Sequence, residues 1–423
     1  MKLIQFGAGN IGRSFIGHVF SRSGWDVVFV DIDEKLVRLL NEKKSYTVAI
    51  KREGTTDELR TIAPVRAVDG RDDEAVSEEL ADADIAATSV GKNALVKILP
   101  VIAAGLDKRR RRYGERPLDI IIAENSREAP ELFRTVLSKE LGDSYPLDRL
   151  VGIVETSIGK MVPIMRKEDL TSDPLLLFAE EYETLIVDKR SFKGPIPDIK
   201  SLCPVEPIKA YVDRKLFIHN LGHAATAYFG YRSKDLGDPR IAAISRVLDL
   251  PGIEHNVRQA MNQSAEALLV EYPGVFGRQD LSHHIDGLIS RFKNVALADT
   301  VHRVGRDIPR KLGRDDRLTG AMLLCAKHGL PFGAIADVYR AAMDFACPDE
   351  DGVLFPPDAE FRKRYALPCP STGYLSKEPG GTGESGMETI RAALPAILTE
   401  VSGLDRADPV DSAVYNGVLC QAE

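Results

Sequence analysis

Over residues 2–33 the hydrophobic positions change their spacing three times. "KLIQF" is a short apolar run, "GAGNIG" interrupts it, "RSFIGHVFSRSG" spaces apolar residues at helical intervals, and "DVVFVDID" is apolar again. The pattern predicts strand, turn, helix and strand. Further apolar runs at 83–91, 119–125 and 149–156 predict more strands, with helical spacing over 92–106 and 127–140 between them. Strands alternating with helices imply a parallel sheet with both faces covered.

Beyond about residue 200 the spacing becomes helical, over 205–230, 238–269, 281–293, 315–328, 332–346 and 386–402. The expected fold is therefore α/β: a Rossmann-type parallel-sheet domain over 1–200, then a mainly α-helical substrate domain over 201–423. Segment 185–208, rich in Pro, Lys and Asp, reads as the junction. Segment 348–386, loaded with Pro and Gly, reads as an elaborated surface loop.

Composition narrows the function classes. The chain has 423 residues, 44% of them hydrophobic, enough for two cores. Its 56 basic and 63 acidic residues are broadly mixed, for a net charge of −7, which argues against a general nucleic-acid binder. The densest charge run, "KRRRRY" at 108–113, reads as a solvated helix face. Five cysteines, odd in number and without a CxxC pair, suggest neither a disulfide framework nor a zinc cage and fit a reduced cytoplasm. No stretch approaches the ~20 apolar residues of a membrane span, and the N-terminus lacks a signal-peptide apolar region. The expected partner is a small molecule, neither nucleic acid nor membrane, and nothing in the sequence argues for more than a monomer.

The turn at Gly7, Gly9 and Gly12 follows a strand and opens a helix, and Asp31 ends the next strand about 20 residues on. Gly7 makes the tight turn, Gly9 admits a pyrophosphate close to the backbone, and Gly12 lets the helix pack on the sheet. Ala8, Asn10 and Ile11 complete the loop, whose N–H groups and helix dipole favour an anion. Asp31 would accept from the ribose hydroxyls and repel a 2′-phosphate, so the expected cofactor is NAD. Because the ligand in such a sheet crosses the carboxyl ends of the strands, Val90, Gly91 and Asn125 are also candidates.

The second chemical stretch is "RKLFIHNLGH", 214–223. On an α-helical wheel Lys215, His219, His223 and Asn220 fall at about 0°, 40°, 80° and 140°, all on one side. A lysine among apolar neighbours loses ammonium solvation and becomes a general base. An amide can donate to a developing alkoxide, and an imidazole can orient a hydroxyl. The same face could instead be a wet helix surface with a snorkelling lysine. His219 and His223 at i and i+4 suit a metal, yet no HExxH glutamate or evident third ligand accompanies them, so no metal site is expected. A serine-hydrolase elbow, GxSxG, is missing.

With these pieces together the chain resembles the long-chain, polyol-specific dehydrogenases of the mannitol dehydrogenase family. The likeness rests on "FGAGNIGRSFIG" (6–17), "AEN" (123–125), "IVDKRSFKGPIPDI" (186–199), "RKLFIHNLGHAATAYFG" (214–230), "RVGRDIPRKL" (303–312) and "VSGLD" (401–405). The resemblance implies metal-independent hydride transfer between a secondary alcohol and NAD. By position it makes Lys215 the general base, Asn125 and Asn220 the amides that stabilise the alkoxide, and His223 an orienting partner; His219 is not required. The sugar-phosphate subgroup needs cations for a phosphate, for which Arg306 is the first candidate, with Arg303, Arg310, Lys189 and Lys193 beside it.

Two departures bear on the substrate. Where the family has "VDR[IV]VP" this sequence has "IGKMVP", so Gly159 replaces the acid and Lys160 the arginine, leaving Glu155 as the replacement acid. The loop 348–386 is longer than the family's connection. A sibling activity on an unphosphorylated polyol or sugar acid, and an NAD-sensing module with a degenerate helix, are the competing expectations.

Overall fold

The structure, a computed structural model, describes all residues except 53–55, 164, 166–172, 369–383 and 421–423, and the side chains of 384–387. The chain divides into two compact units, Met1–Val212 and Asp213–Glu423.

The first unit is built on an eight-stranded sheet. Its strands are β1 (Lys2–Phe6), β2 (Asp26–Asp31), β5 (Val65–Asp69), β6 (Ile85–Thr88), β7 (Leu118–Ile122), β8 (Val151–Ser157), β10 (Leu185–Asp188) and β11 (Leu202–Val205), in spatial order β11-β10-β8-β7-β6-β1-β2-β5. All neighbours run parallel except β8 and β10. Alternation sends Leu3, Val27, Phe29, Ile85 and Ala87 into one core with Phe15, Ile16 and Phe20, and Ile4, Phe6, Val30, Ala86 and Ile120 into another with Leu95, Leu99, Ile102 and Phe133. A second sheet of three strands joins β3 (Tyr46–Ile50) to β4 (Glu58–Ile62) and β9 (Leu177–Ala179).

Three readings change here. The stretch expected as a domain junction supplies β10 and β11, because Leu185–Val187, Leu202 and Val205 are buried despite the surrounding Pro and Lys. "KRRRRY" is not simply a solvated face. Helix Lys92–Tyr113 ends there, and Arg109 is 2% exposed, donating to the carbonyls of Ala81, Ala83, Arg116 and Pro117 at 2.7–3.1 Å. Arg111 and Arg112 pair with Asp107, Glu78 and Asp82. Finally, the loop expected over 348–386 contains helix Pro356–Arg364, whose buried Asp358 accepts from the N–H groups of Asp307 and Ile308; residues 369–383 of that loop lie outside the described ones.

The second unit is helical, and among its described residues no strand forms; an isolated bridge joins Ala243 to Thr300. Helix Leu221–Arg232 is buried nearly all round. Its glycines permit close helix approach: a Cβ on Gly222 would lie 2.6 Å from Met261 Sδ, and one on Gly230 2.6 Å from a Val247 methyl. Helices Ile253–Glu271, Val301–Gly305 and Gly333–Asp344 pack on it.

Candidate active site

In the first unit, β1 runs straight into the glycine turn. Gly7 has φ +89°, and a Cβ there would stand 2.5 Å from Ser89 O; one on Gly12 would stand 2.0 Å from Gly7 O. Gly9 faces open space and is exposed, as are Asn10 and, in part, Ile11. An open approach at the middle glycine only is what a backbone built to meet a pyrophosphate requires, so the loop fits a dinucleotide. Asp31 Oδ2 accepts from Ala8 N–H at 2.7 Å and Oδ1 from Asp33 N–H at 3.0 Å, which holds its carboxylate at the loop. Beneath lies Gln5, fully buried, whose amide donates to Phe6 O at 2.6 Å and Ser89 Oγ at 3.0 Å. As a polar interruption in an apolar strand, Gln5 was visible in the sequence, but its target was not.

Val90 and Gly91 follow β6 at the carboxyl edge. Their N–H groups are taken by Glu124, at 2.8 and 2.9 Å, so they offer a ligand only the Val90 side chain and the Gly91 surface. Glu124 thereby ties the loop after β6 to the loop after β7, where Asn125 is exposed. Lys189 and Lys193 are misplaced as substrate ligands. β10 runs antiparallel to β8, so the chain after it reaches the amino end of the sheet, where Lys193 N–H donates to Asp119 Oδ1 at 2.7 Å, opposite the glycine turn and Asn125. Gly159 lies 3.4 Å, measured from a built Cβ, from the Tyr182 ring. Lys160 is buried, its Nζ donating to Glu180 O at 2.9 Å, and Glu155 is half-buried near the end of β8.

In the second unit the motif departs from the wheel used to read it. Lys215–Asn220 is a π-helical turn, closed where Leu221 N–H donates to Leu216 O. A π turn advances less per residue than an α-helix, so Lys215 and Asn220, five positions apart, come nearer to one face than the ~140° of the α wheel. Such turns recur at functional sites because one extra residue re-aims the side chains. The turn is fastened before and within its span: the Tyr272 hydroxyl donates to buried Asp213, Arg214 lies over the Phe276 ring at 5.3 Å, and Gly320 leaves room for Phe217.

Burial, with Arg317 and Arg310 nearby, pushes the Lys215 amine down to about 8, against a smaller opposing pull from Asp316. Asp316 itself accepts from Arg317 at 2.7 Å and from Arg310 at 3.3 Å, and Arg317 also reaches Asn220 O at 3.4 Å. His223 stacks on Phe292, ring centroids 4.8 Å apart and planes 12° apart, with Nε2 3.5 Å from Asp299 Oδ2. Burial, then the charges of Lys311, Arg303, Arg317 and Arg291, push it down to about 3, so it is neutral. His219 is buried and held well below its ordinary value by burial. Lys311, 3% exposed, donates to Val304 O beneath the Tyr228 ring. The sequence reading passed over Lys311, Arg317 and Asp299, for their motifs carry no signal until folding brings them to His223 and Lys215.

Of the three candidate arginines, Arg303 pairs with Asp299 and Arg310 with Asp307 and Asp316, while exposed Arg306 lies over the Phe355 ring at 5.2 Å. Among the described residues, no three His, Cys, Asp or Glu gather as metal ligands, and no helix is long and apolar enough to cross a membrane.

Residues 1–201 match the mannitol dehydrogenase Rossmann domain and residues 207–366 the mannitol dehydrogenase C-terminal domain. The chain belongs to the mannitol dehydrogenase family. It is therefore an oxidoreductase of a polyol dehydrogenase family, with a Rossmann domain at its N-terminal end. It is 36% identical over 348 residues to the mannitol-1-phosphate 5-dehydrogenase of Bacillus subtilis (strain 168), covering 82% of this chain and 88% of that one. The fold is similar to that of the mannitol 2-dehydrogenase of Pseudomonas fluorescens, solved as a ternary complex with NAD and D-mannitol, at a TM-score of 0.70 and 16% identity over 100% of this chain and 91% of that one. It is equally similar to a D-sorbitol dehydrogenase solved in substrate-free form, TM-score 0.70, 16% identity, 100% and 94% covered.

Proposed function

We propose that this member of the mannitol dehydrogenase family interconverts mannitol 1-phosphate and fructose 6-phosphate with NAD, using Lys215 as general base and no metal. The observation that supports the mechanism is the π turn Lys215–Asn220, which carries a desolvated lysine and an amide on one short turn. Gly7–Gly12 and Asp31 would hold NAD, which would supply the hydride acceptor. In oxidation Lys215 takes the hydroxyl proton, Asn220 and Asn125 donate their amide N–H groups to the developing alkoxide, and neutral His223 orients the hydroxyl. In reduction the Lys215 ammonium returns the proton.

The phosphate is assigned to Arg303, Arg306 and Arg310, around helices Val301–Gly305 and Ile308–Lys311, with Arg306 first because Arg303 and Arg310 are already engaged by Asp299, Asp307 and Asp316. The relationship to mannitol-1-phosphate 5-dehydrogenase supports this choice. A second reading, an unphosphorylated polyol, draws support from Gly159, where the Tyr182 ring leaves contact distance for no more than a methyl. The test is NADH oxidation with fructose 6-phosphate, fructose and fructuronate side by side. The expected result is turnover with fructose 6-phosphate at a KM at least about tenfold below that for fructose. Turnover on fructose alone would overturn the phosphate site, and turnover on none of the three, despite NADH binding, would overturn the proposed reaction. The enzyme is further proposed to act as a cytoplasmic monomer.

A further inference from the structure

Asp299, in the loop before helix Val301–Gly305, is half-buried beside two functional candidates. One carboxylate oxygen meets Arg303 Nη1, and the other lies 3.5 Å from His223 Nε2. Its own backbone is fixed, since its carbonyl accepts from Ile244 N–H at 2.8 Å. The imidazole is held from a second direction by the parallel Phe292 ring. A face contact and an edge contact together define the rotation of a planar ring.

We infer that Asp299 is a positioning residue for His223: it accepts the Nε2 proton, leaves Nδ1 as the unprotonated nitrogen, and shares its other oxygen with Arg303. The inference rests on the reading of Lys215, Asn220 and His223 as substrate machinery. A lone carboxylate at this distance would favour imidazolium. Here Arg303 offsets it, and Lys311, Arg317 and Arg291 add positive charge around the ring, while His219 is a neutral neighbour 6.4 Å away. The imidazole stays neutral and carries one proton, and the nitrogen that holds it is decided by the acceptor at hand. A further consequence concerns binding. An anionic substrate group meeting Arg303 competes with Asp299 for the same guanidinium, so the anion site and the imidazole are linked through one carboxylate.

The test uses Asp299→Asn in the full chain. The amide keeps the shape but presents an acceptor oxygen to only one of Arg303 and His223. Long-range ¹H–¹⁵N NMR of the histidine rings, with His223 assigned by loss of its signal in His223→Gln, should give the Nε2–H tautomer in the wild type at pH 7 and a mixture in the variant. With fructose 6-phosphate, kcat should fall at least about tenfold while NADH affinity stays within about twofold, as for loss of a residue that orients a catalytic histidine. An Nδ1–H or charged His223 in the wild type overturns the inference, as does a variant with unchanged tautomer and kcat. If the wild type turns over none of the keto-sugars, the proposed reaction fails while the tautomer still decides the role of Asp299. If the variant does not fold, the wild-type tautomer decides alone.

Discussion

At the scale of single residues, the same residue type carries different burdens depending on what surrounds it. Lys215 and Lys311 are both desolvated, but Lys311 is sealed under Tyr228 and bonded to a backbone carbonyl, whereas Lys215 keeps part of its surface at solvent. With the Lys215 amine at about 8, polyol oxidation, which needs the neutral amine, should rise as pH increases through 8. Ketose reduction, which needs the ammonium, should fall over the same range. A kcat/KM profile in each direction checks the opposite slopes, and Lys215→Ala should lower both rates by about 10²–10⁴-fold with NADH affinity little changed. The three glycines also separate. Gly9→Ala should leave Tm unchanged yet weaken NADH binding at least about tenfold, because its Cβ meets only open space where the pyrophosphate would lie. Gly12→Ala should lower Tm, because its Cβ would overlap the Gly7 carbonyl of the same fold. Thermal melts and NADH titration distinguish the two.

At the scale of elements, the strand–turn–helix–strand unit of residues 2–31 was legible because its signals are local. Glycines interrupt an apolar run, and the apolar spacing then switches. β10 and β11 were not legible, since Pro, Lys and Asp around them outweighed two short buried runs, and only pairing, of β10 with β8 and of β11 with β10, makes those runs strands. The helix carrying "KRRRRY" shows the same limit. Its charge run has one member facing inward, because the helix end lies over four carbonyls that need donors. Arg109→Leu should leave those carbonyls without their partner and cost about 2–4 kcal/mol, read as a lower urea midpoint, whereas Arg111→Leu, an exposed i,i+4 pair, should cost under about 1 kcal/mol. The π turn was equally hidden, since a wheel of α spacing shows which face is polar but not that an extra residue has shifted Lys215 toward Asn220.

At the scale of the whole molecule, histidine burial sets the acid limit. His18, His223 and His284 are pushed down to about 4, 3 and 3, in each case first by burial. Each folded-state value lies below the ordinary histidine value of about 6.5. The unfolded chain therefore binds protons first as pH falls, so this stability is intact above pH 6.5 and lost progressively toward pH 4. Each group contributes a slope of at most about 1.4 kcal/mol per pH unit in that window. Melting temperature should thus be flat from pH 8 to 7 and decline below 6.5. His18→Gln, which removes a buried imidazole whose two nitrogens have no hydrogen-bond partner among the described residues, should flatten part of that decline.

By itself the sequence determined the α/β-then-helical order, the dinucleotide turn with its acid, and the lysine–amide–imidazole motif, because each is written in short-range spacing and residue type. Only the tertiary structure decided that Lys215 and Asn220 stand on a π turn, that Glu124 takes the amides of Val90 and Gly91, and that Lys193 stands at the amino end of the sheet. It also decided that Asp299 stands behind His223. These depend on pairings across tens of residues and on the removal of water, and neither is present in the local pattern of the chain.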